Sequence, residues 1–190
     1  MNEHGYLIID LEATCCDAGT IPRAETEMIE IGAVVADGRM LEIVDEFVTF
    51  IRPVKHPRLT PFCTELTSIT QEQVDAAPRF FEAMERLVKW VERRPGLLFC
   101  SWGDYDRNQF ARECQRNGVA YPLGDEHLNL KKQFSERQGL RRRFGMAAAL
   151  RKAGLPLTGT HHRGIDDARN IARLLPFIVG DEKLPGSGRR

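Results

Sequence analysis

Gly5-Tyr-Leu-Ile-Ile-Asp-Leu-Glu12 is short, rich in β-forming residues and followed by small and turn-forming ones. It is therefore expected as a strand with a buried centre. Working outward, Met28-Ile-Glu-Ile-Gly-Ala-Val-Val35 and Asp45-Glu-Phe-Val-Thr-Phe-Ile51 have the same character, with Ala36-Asp-Gly-Arg39 between them. Asp-Gly is a strong hairpin signal, which makes these successive antiparallel strands. After Arg52-Pro53 the chain is expected to be irregular, with Pro57 and Pro61, until Thr70 and Gln73 supply a capping box for a short helix from Gln71. Phe80, Phe81, Met84, Leu87, Val88 and Val91 then recur at helical spacing, and Pro95-Gly96 stops that run. Leu97-Leu-Phe-Cys-Ser101 follows as a buried strand, and helices are expected over 106–117, 143–153 and 166–178, ending near Gly118, Gly154 and Gly180. Strands first, then helices alternating with strands, indicate an α/β fold of three layers around a mixed sheet.

The length of 190 residues suits one domain, placed at 1–180, with 181–190 as a frayed tail around Pro185-Gly-Ser-Gly. Charges balance at 27 Lys+Arg against 27 Asp+Glu, which disfavours a protein that coats nucleic acid or an anionic membrane by bulk charge. No apolar run reaches the ~18 residues of a membrane span. The sequence starts without a charged-then-apolar signal segment, so no membrane partner and a cytoplasmic setting are expected. The five cysteines, at 15, 16, 63, 100 and 114, have no zinc-type spacing and are expected as reduced thiols, with adjacent Cys15-Cys16 the pair to watch.

Three acidic clusters stand out. Asp10 and Glu12 lie two apart at a strand end, so both carboxylates point to one side and repel unless protons, basic groups or divalent cations compensate. Alone, the pair is weak evidence and reads first as solvated acids. Ser101-Trp-Gly-Asp-Tyr-Asp106 is an acidic turn from strand to helix, at the kind of strand end where open α/β sheets place ligands. Either Asp there can also be a helix cap or a partner of Arg107. In Thr160-His-His-Arg-Gly-Ile-Asp-Asp167, Asp166 is explained by the first turn of a helix, whereas Asp167 borders the apolar face of Ala168, Ile171, Ala172 and Leu175 and needs an interior partner.

Together, in this order and spacing, the three clusters resemble the DEDD superfamily of 3′→5′ exonucleases, in its histidine-bearing branch. Asp10-Leu-Glu-Ala-Thr-Cys15, Met28-Ile-Glu-Ile-Gly-Ala-Val34, Leu66-Thr-Ser-Ile-Thr70, Trp102-Gly-Asp-Tyr-Asp106 and His162-Arg-Gly-Ile-Asp-Asp-Ala-Arg-Asn-Ile-Ala172 carry the likeness, which spans residues 5–178. Within the superfamily they resemble the histone-mRNA and small-RNA 3′ exonucleases and their bacterial sporulation-inhibitor-type members.

The resemblance implies a ribonuclease H-like fold. It also implies a two-metal enzyme that hydrolyses single-stranded nucleic acid, RNA in preference to DNA, from the 3′ end to nucleoside 5′-monophosphates. It gives Asp10, Glu12, Asp106 and Asp167 as ligands of two divalent cations, and oxygen-only ligands suit Mg²⁺ or Mn²⁺. His162 is implied as the general base. His161 and Asp166 form a second His-x4-Asp frame, and the 162/167 frame is preferred because the family motif aligns there without a gap. Asp106 is preferred to Asp104 for the aromatic that precedes it and for Phe110 after it.

Backbone amides at Ala13 and Thr14 are implied to reach the terminal sugar. The segment Glu65-Leu66-Thr67 is implied to present a wedge to the last base, with Leu66 equally readable as a loop anchor. Ser68 stands where the family commonly has Gly. Between 131 and 152, Lys131, Lys132, Arg137, Arg141, Arg142, Arg143, Arg151 and Lys152 face Glu136 alone, either as a solvated helix face or as a track for phosphates.

Two other readings are open to the sequence. A haloacid-dehalogenase-type phosphatase would use Asp10 as nucleophile, but Glu12 stands where that motif has Asp. A catalytically silent RNA-binding module would be marked by a missing carboxylate, and none is missing.

Overall fold

The computed structural model describes residues 4–186. Its centre is the strand β1 (Tyr6–Ala13); β2 (Met28–Ala36) pairs with it antiparallel, and β3 (Ile43–Phe50) pairs antiparallel with β2. On the other side β4 (Leu98–Ser101) and β5 (His127–Asn129) add in parallel, giving the order β3-β2-β1-β4-β5 and the mixed sheet expected. The period of two divides β1 between two cores. Leu7, Ile9 and Leu11 pack with α3 (Phe80–Val91) and α4 (Tyr105–Asn117). Tyr6 and Ile8 pack with α5 (Leu130–Arg137), α6 (Met146–Ala153), α7 (Gly164–Ala172) and α8 (Leu175–Ile178). The strand β2 is buried throughout, as its continuous apolar run predicts, whereas the edge strand β3 alternates in exposure.

Several elements differ from the sequence reading. The β2–β3 turn spans 37–42 rather than two residues, because the Asp37 side chain accepts from the amides of Arg39 and Met40, and the left-handed residue is Leu41 at φ 59°. The segment expected to be irregular holds α1 (Pro61–Thr67), started by the Thr60 side chain accepting from the Cys63 amide with Pro61 in the first turn. The capping box of α2 (Gln71–Asp75) is present as read. The expected helix 166–178 begins at Gly164 and is divided into α7 and α8; Pro176, in the first turn of α8, has no amide to continue a helical ladder. The elements β5 and α5 were not anticipated. The expected tail is docked as far as Leu184: the Gln138 side chain donates to the Glu182 carbonyl and accepts from the Leu184 amide.

Candidate active site

Asp10 and Glu12 leave β1 toward the α7 layer, on the face of Tyr6 and Ile8, near the C-terminal ends of the parallel strands. What brings α7 to them is a pair of glycines. Gly32 is opposite Asp10 in the β1–β2 ladder, and a β-carbon there would lie 2.0 Å from the Gly164 backbone. A β-carbon on Gly164 would lie 2.8 Å from the Asp10 carbonyl oxygen, so only glycine at both positions lets the helix start rest on the strands. Three residues on, Asp167 is buried in the first turn of α7, and single oxygens of Asp10, Glu12 and Asp167 lie within 4.8 Å of one another.

Asp106 enters from the first turn of α4 and is tied to β1 by the Leu11 amide, which donates to its Oδ1 at 3.1 Å. It is 5% exposed, whereas Asp104 turns outward toward His127 at 3.9 Å. Burial is the first cause of a raised pKa in all four acids; it holds Asp10 well above the usual carboxylate range and Glu12 at about 9. For Asp10 and Glu12 the further causes are neighbouring acidic groups, so every principal influence on them points the same way. Asp106 is pushed to about 6, restrained by the Leu11 amide. Carboxylates converging in this way, with Asp10 and Glu12 influenced only by burial and by other acidic groups, fit divalent cations with oxygen ligands.

His161 and His162 stack at 4.0 Å with nearly parallel rings. The His161 Nδ1 is 3.0 Å from Asp167 Oδ2, and the His162 amide donates to the same oxygen at 3.1 Å. His162 has a left-handed backbone at φ 63°, and burial, then His161, lowers its imidazole pKa. Both imidazoles line the cleft, and the direct side-chain contact with Asp167 belongs to His161, which the sequence reading set aside. Asp166 faces away, accepting from the Thr160 amide and from Arg169.

The cleft over these acids has a volume of about 620 Å³ and is walled by Leu66, Trp102, Tyr105, Arg151 and the first turn of α6, with Cys15 at its border. Ala13 lines it, but Thr14 does not: its amide donates to the Glu27 carbonyl and its hydroxyl accepts from the Glu27 amide. Thr67 is likewise buried, its hydroxyl donating to the Cys63 carbonyl, so neither threonine is placed to meet a ligand as anticipated. Of the basic stretch, Arg151 reaches the cleft, while Arg142 and Lys152 lie over the Phe144 ring at 5.0 and 4.5 Å. Sequence reasoning also missed the Glu30–Arg163 pair, whose signal is a lone acid inside the apolar run of β2.

An exonuclease family model, RNase_T, matches residues 7–175. The chain belongs to the exonuclease family. The phosphatase reading falls with that match, and with the position of Asp166-Asp167 on a helix. The chain is similar to human ERI1 exoribonuclease 3, 36% identical over 187 residues that make up 93% of this chain and 54% of the relative. It thus spans about half the length of the curated relatives it first matches. It is also similar to the probable 3′-5′ exonuclease KapD of Bacillus subtilis, 30% identical over 96% of this chain and 88% of that one. Among solved structures, the nuclease domain of 3′hExo, a DEDDh family member bound to rAMP, superposes with a TM-score of 0.87 at 30% identity, covering 99% of this chain and 96% of the other. The fold is therefore the ribonuclease H-like one of the DEDDh exonucleases.

Proposed function

We propose that this chain is a metal-dependent 3′→5′ exonuclease that shortens single-stranded nucleic acid, RNA in preference to DNA, releasing nucleoside 5′-monophosphates. The convergence of Asp10, Glu12 and Asp167 within 4.8 Å, with Asp106 anchored beside them on Leu11, carries this reading. These four acids would hold two divalent cations, Mg²⁺ or Mn²⁺, which supply activation of the attacking water and neutralisation of charge on the phosphate.

The protein's own groups do the rest. His162, its pKa lowered by burial, takes the proton of the attacking water, as a neutral imidazole can near neutral pH. His161 holds the Asp167 carboxylate in position through Nδ1. Water attacks the last phosphodiester, the bond from phosphorus to the 3′ oxygen breaks, and that oxygen leaves with a proton as the new 3′ hydroxyl. Leu66, Trp102 and Tyr105 offer apolar surfaces for the terminal base and sugar, and Arg151 a cation for a phosphate. The RNA preference is supported by the exoribonuclease relatives and by the ribonucleotide in the similar structure.

The test uses 5′-labelled single-stranded RNA and DNA of one sequence with Mg²⁺, Mn²⁺ or EDTA. A ladder shrinking from the 3′ end with metal only, faster on RNA, is expected. Internal cuts, or cleavage in EDTA, would refute it. His162→Ala is expected to lose about 10²–10⁴-fold in rate, the usual worth of a general base, and His161→Ala less; the reverse order would transfer the base to His161.

A further inference from the structure

None of the five cysteines takes part in the chemistry above, and two of them meet. Cys15 follows the end of β1, Cys63 lies in α1, and the two side chains pack into one small apolar cluster, near enough that each shifts the other's thiol pKa. Two hydrogen bonds hold the start of α1 against residues 13–15, and a third closes its cap. The Thr60 hydroxyl donates to the Cys15 carbonyl at 2.7 Å, the Cys63 amide donates to the Thr60 oxygen at 3.0 Å, and the Cys63 thiol donates to the Ala13 carbonyl at 3.7 Å. This sulfur pair is thus built by the fold, 48 residues apart in sequence (63 − 15). Cys16, the sequence neighbour of Cys15, points elsewhere: its sulfur accepts from the Ile21 amide at 3.1 Å.

The two partners differ in access. Cys63 is fully buried, whereas Cys15 is half-buried and borders the cleft, so a small oxidant reaches the pair through Cys15. We propose that Cys15 and Cys63 form an oxidation site, in which a hydroperoxide converts the two thiols to a disulfide linking the end of β1 to α1. The Cys15 sulfur attacks the peroxide, the O–O bond breaks, and the thiol proton leaves with the alcohol or water released. The Cys63 sulfur then attacks the Cys15 sulfenic acid, the S–O bond breaks, and hydroxide leaves with the Cys63 proton as water. Two thiols lose two electrons and one peroxide gains them.

Acidity divides the pair: the Cys15 side chain and backbone lower the Cys63 thiol to about 7, favouring the thiolate of the second step, whereas Cys63 and burial push the Cys15 thiol well up, so it is access that makes Cys15 the first to react. The remaining thiols offer no rival pair: Cys100 and Cys114 are buried in the separate cores on opposite faces of the sheet.

The full chain, fully reduced, is exposed to hydrogen peroxide, its free thiols are titrated in denaturant, and its peptides are mapped by mass spectrometry. Wild type is expected to fall from five thiols to three, with a Cys15–Cys63 peptide that dithiothreitol cleaves. Cys16→Ser is expected to lose two thiols as wild type does, and Cys15→Ser none by disulfide formation. Because Cys63 is a core residue, Cys15→Ser at its half-exposed site keeps the test independent of folding defects. A Cys15–Cys16 linkage, loss of two thiols to a disulfide in Cys15→Ser, or Cys15 sulfinic acid with Cys63 still free would each overturn the proposal.

Discussion

Glu12 and Glu30 are direct partners in the β1–β2 ladder and are 8% and 0% exposed. Glu30 takes a bidentate contact from Arg163, at 3.1 and 3.2 Å, and the Gly164 amide at 3.0 Å. Glu27, just before β2, accepts three successive amides, those of Val54, Lys55 and His56. Glu12 instead has Asp167, Glu30 and Asp106 as the acids that raise its pKa after burial. A buried carboxylate given donors is a fastener, here of the α7 start and of the loop after β3. One given other carboxylates is stable only when protonated or beside a cation, which marks it as a site.

Four measurements separate carboxylates that fasten the fold from those that form the site. Asp10→Asn is expected to cost roughly 10²–10⁴-fold in exonuclease rate, the equivalent of several kcal/mol of charge stabilisation, while raising the melting temperature of metal-free protein. A metal-free variant that melts below wild type would show that Asp10 belongs with the fasteners. Glu30→Ala is expected to lose about 1.5–3 kcal/mol in urea unfolding, since the partly exposed Arg163 and the buried Gly164 amide both lose their acceptor. Unchanged stability there would remove the distinction from the other side.

The third measurement is pH. Without metal, burial raises Glu12 to about 9 and Asp106 to about 6, so the folded chain holds protons that the unfolded chain has released. Stability of metal-free protein is therefore expected to fall as pH rises from about 4 towards about 9, and Mg²⁺ to raise the melting temperature more near pH 8 than near pH 5. A metal-free melting temperature that is flat across this window contradicts the acid cluster. Thr70→Ala, remote from both groups, removes the α2 capping box and is expected to cost only about 1 kcal/mol. Thermal unfolding of this variant sets the scale of an ordinary helix cap.

Much of the sheet was legible because β1, β2 and β4 announce themselves by apolar runs bounded by turn residues. The elements that escaped are short or locally ambiguous: α1 starts at a proline in a proline-rich loop, and β5 has three residues. The acids Asp10, Glu12, Asp106 and Asp167 were legible as positions through motif spacing. Trp102 and Tyr105 were within a quoted motif, but only their place on the cleft wall gave them a use. Thr14 was expected to offer its amide to a ligand, but that amide is taken by the Glu27 carbonyl, a partner on another segment, and the Thr67 hydroxyl turns back on its own helix to the Cys63 carbonyl.

The sequence alone was enough for β1 to β4, for the longer helices and for which residue types could bind divalent cations, since periodicity and side-chain chemistry are local properties. Only the tertiary structure decided which acids share a site and which are neutralised, which histidine touches Asp167, and that Cys15 meets Cys63 rather than Cys16. The reason is that each of these rests on a contact between distant segments. Gly32 and Gly164, 132 residues apart (164 − 32), let a helix settle on the sheet closely enough to turn separate carboxylates into one charge-repelling group.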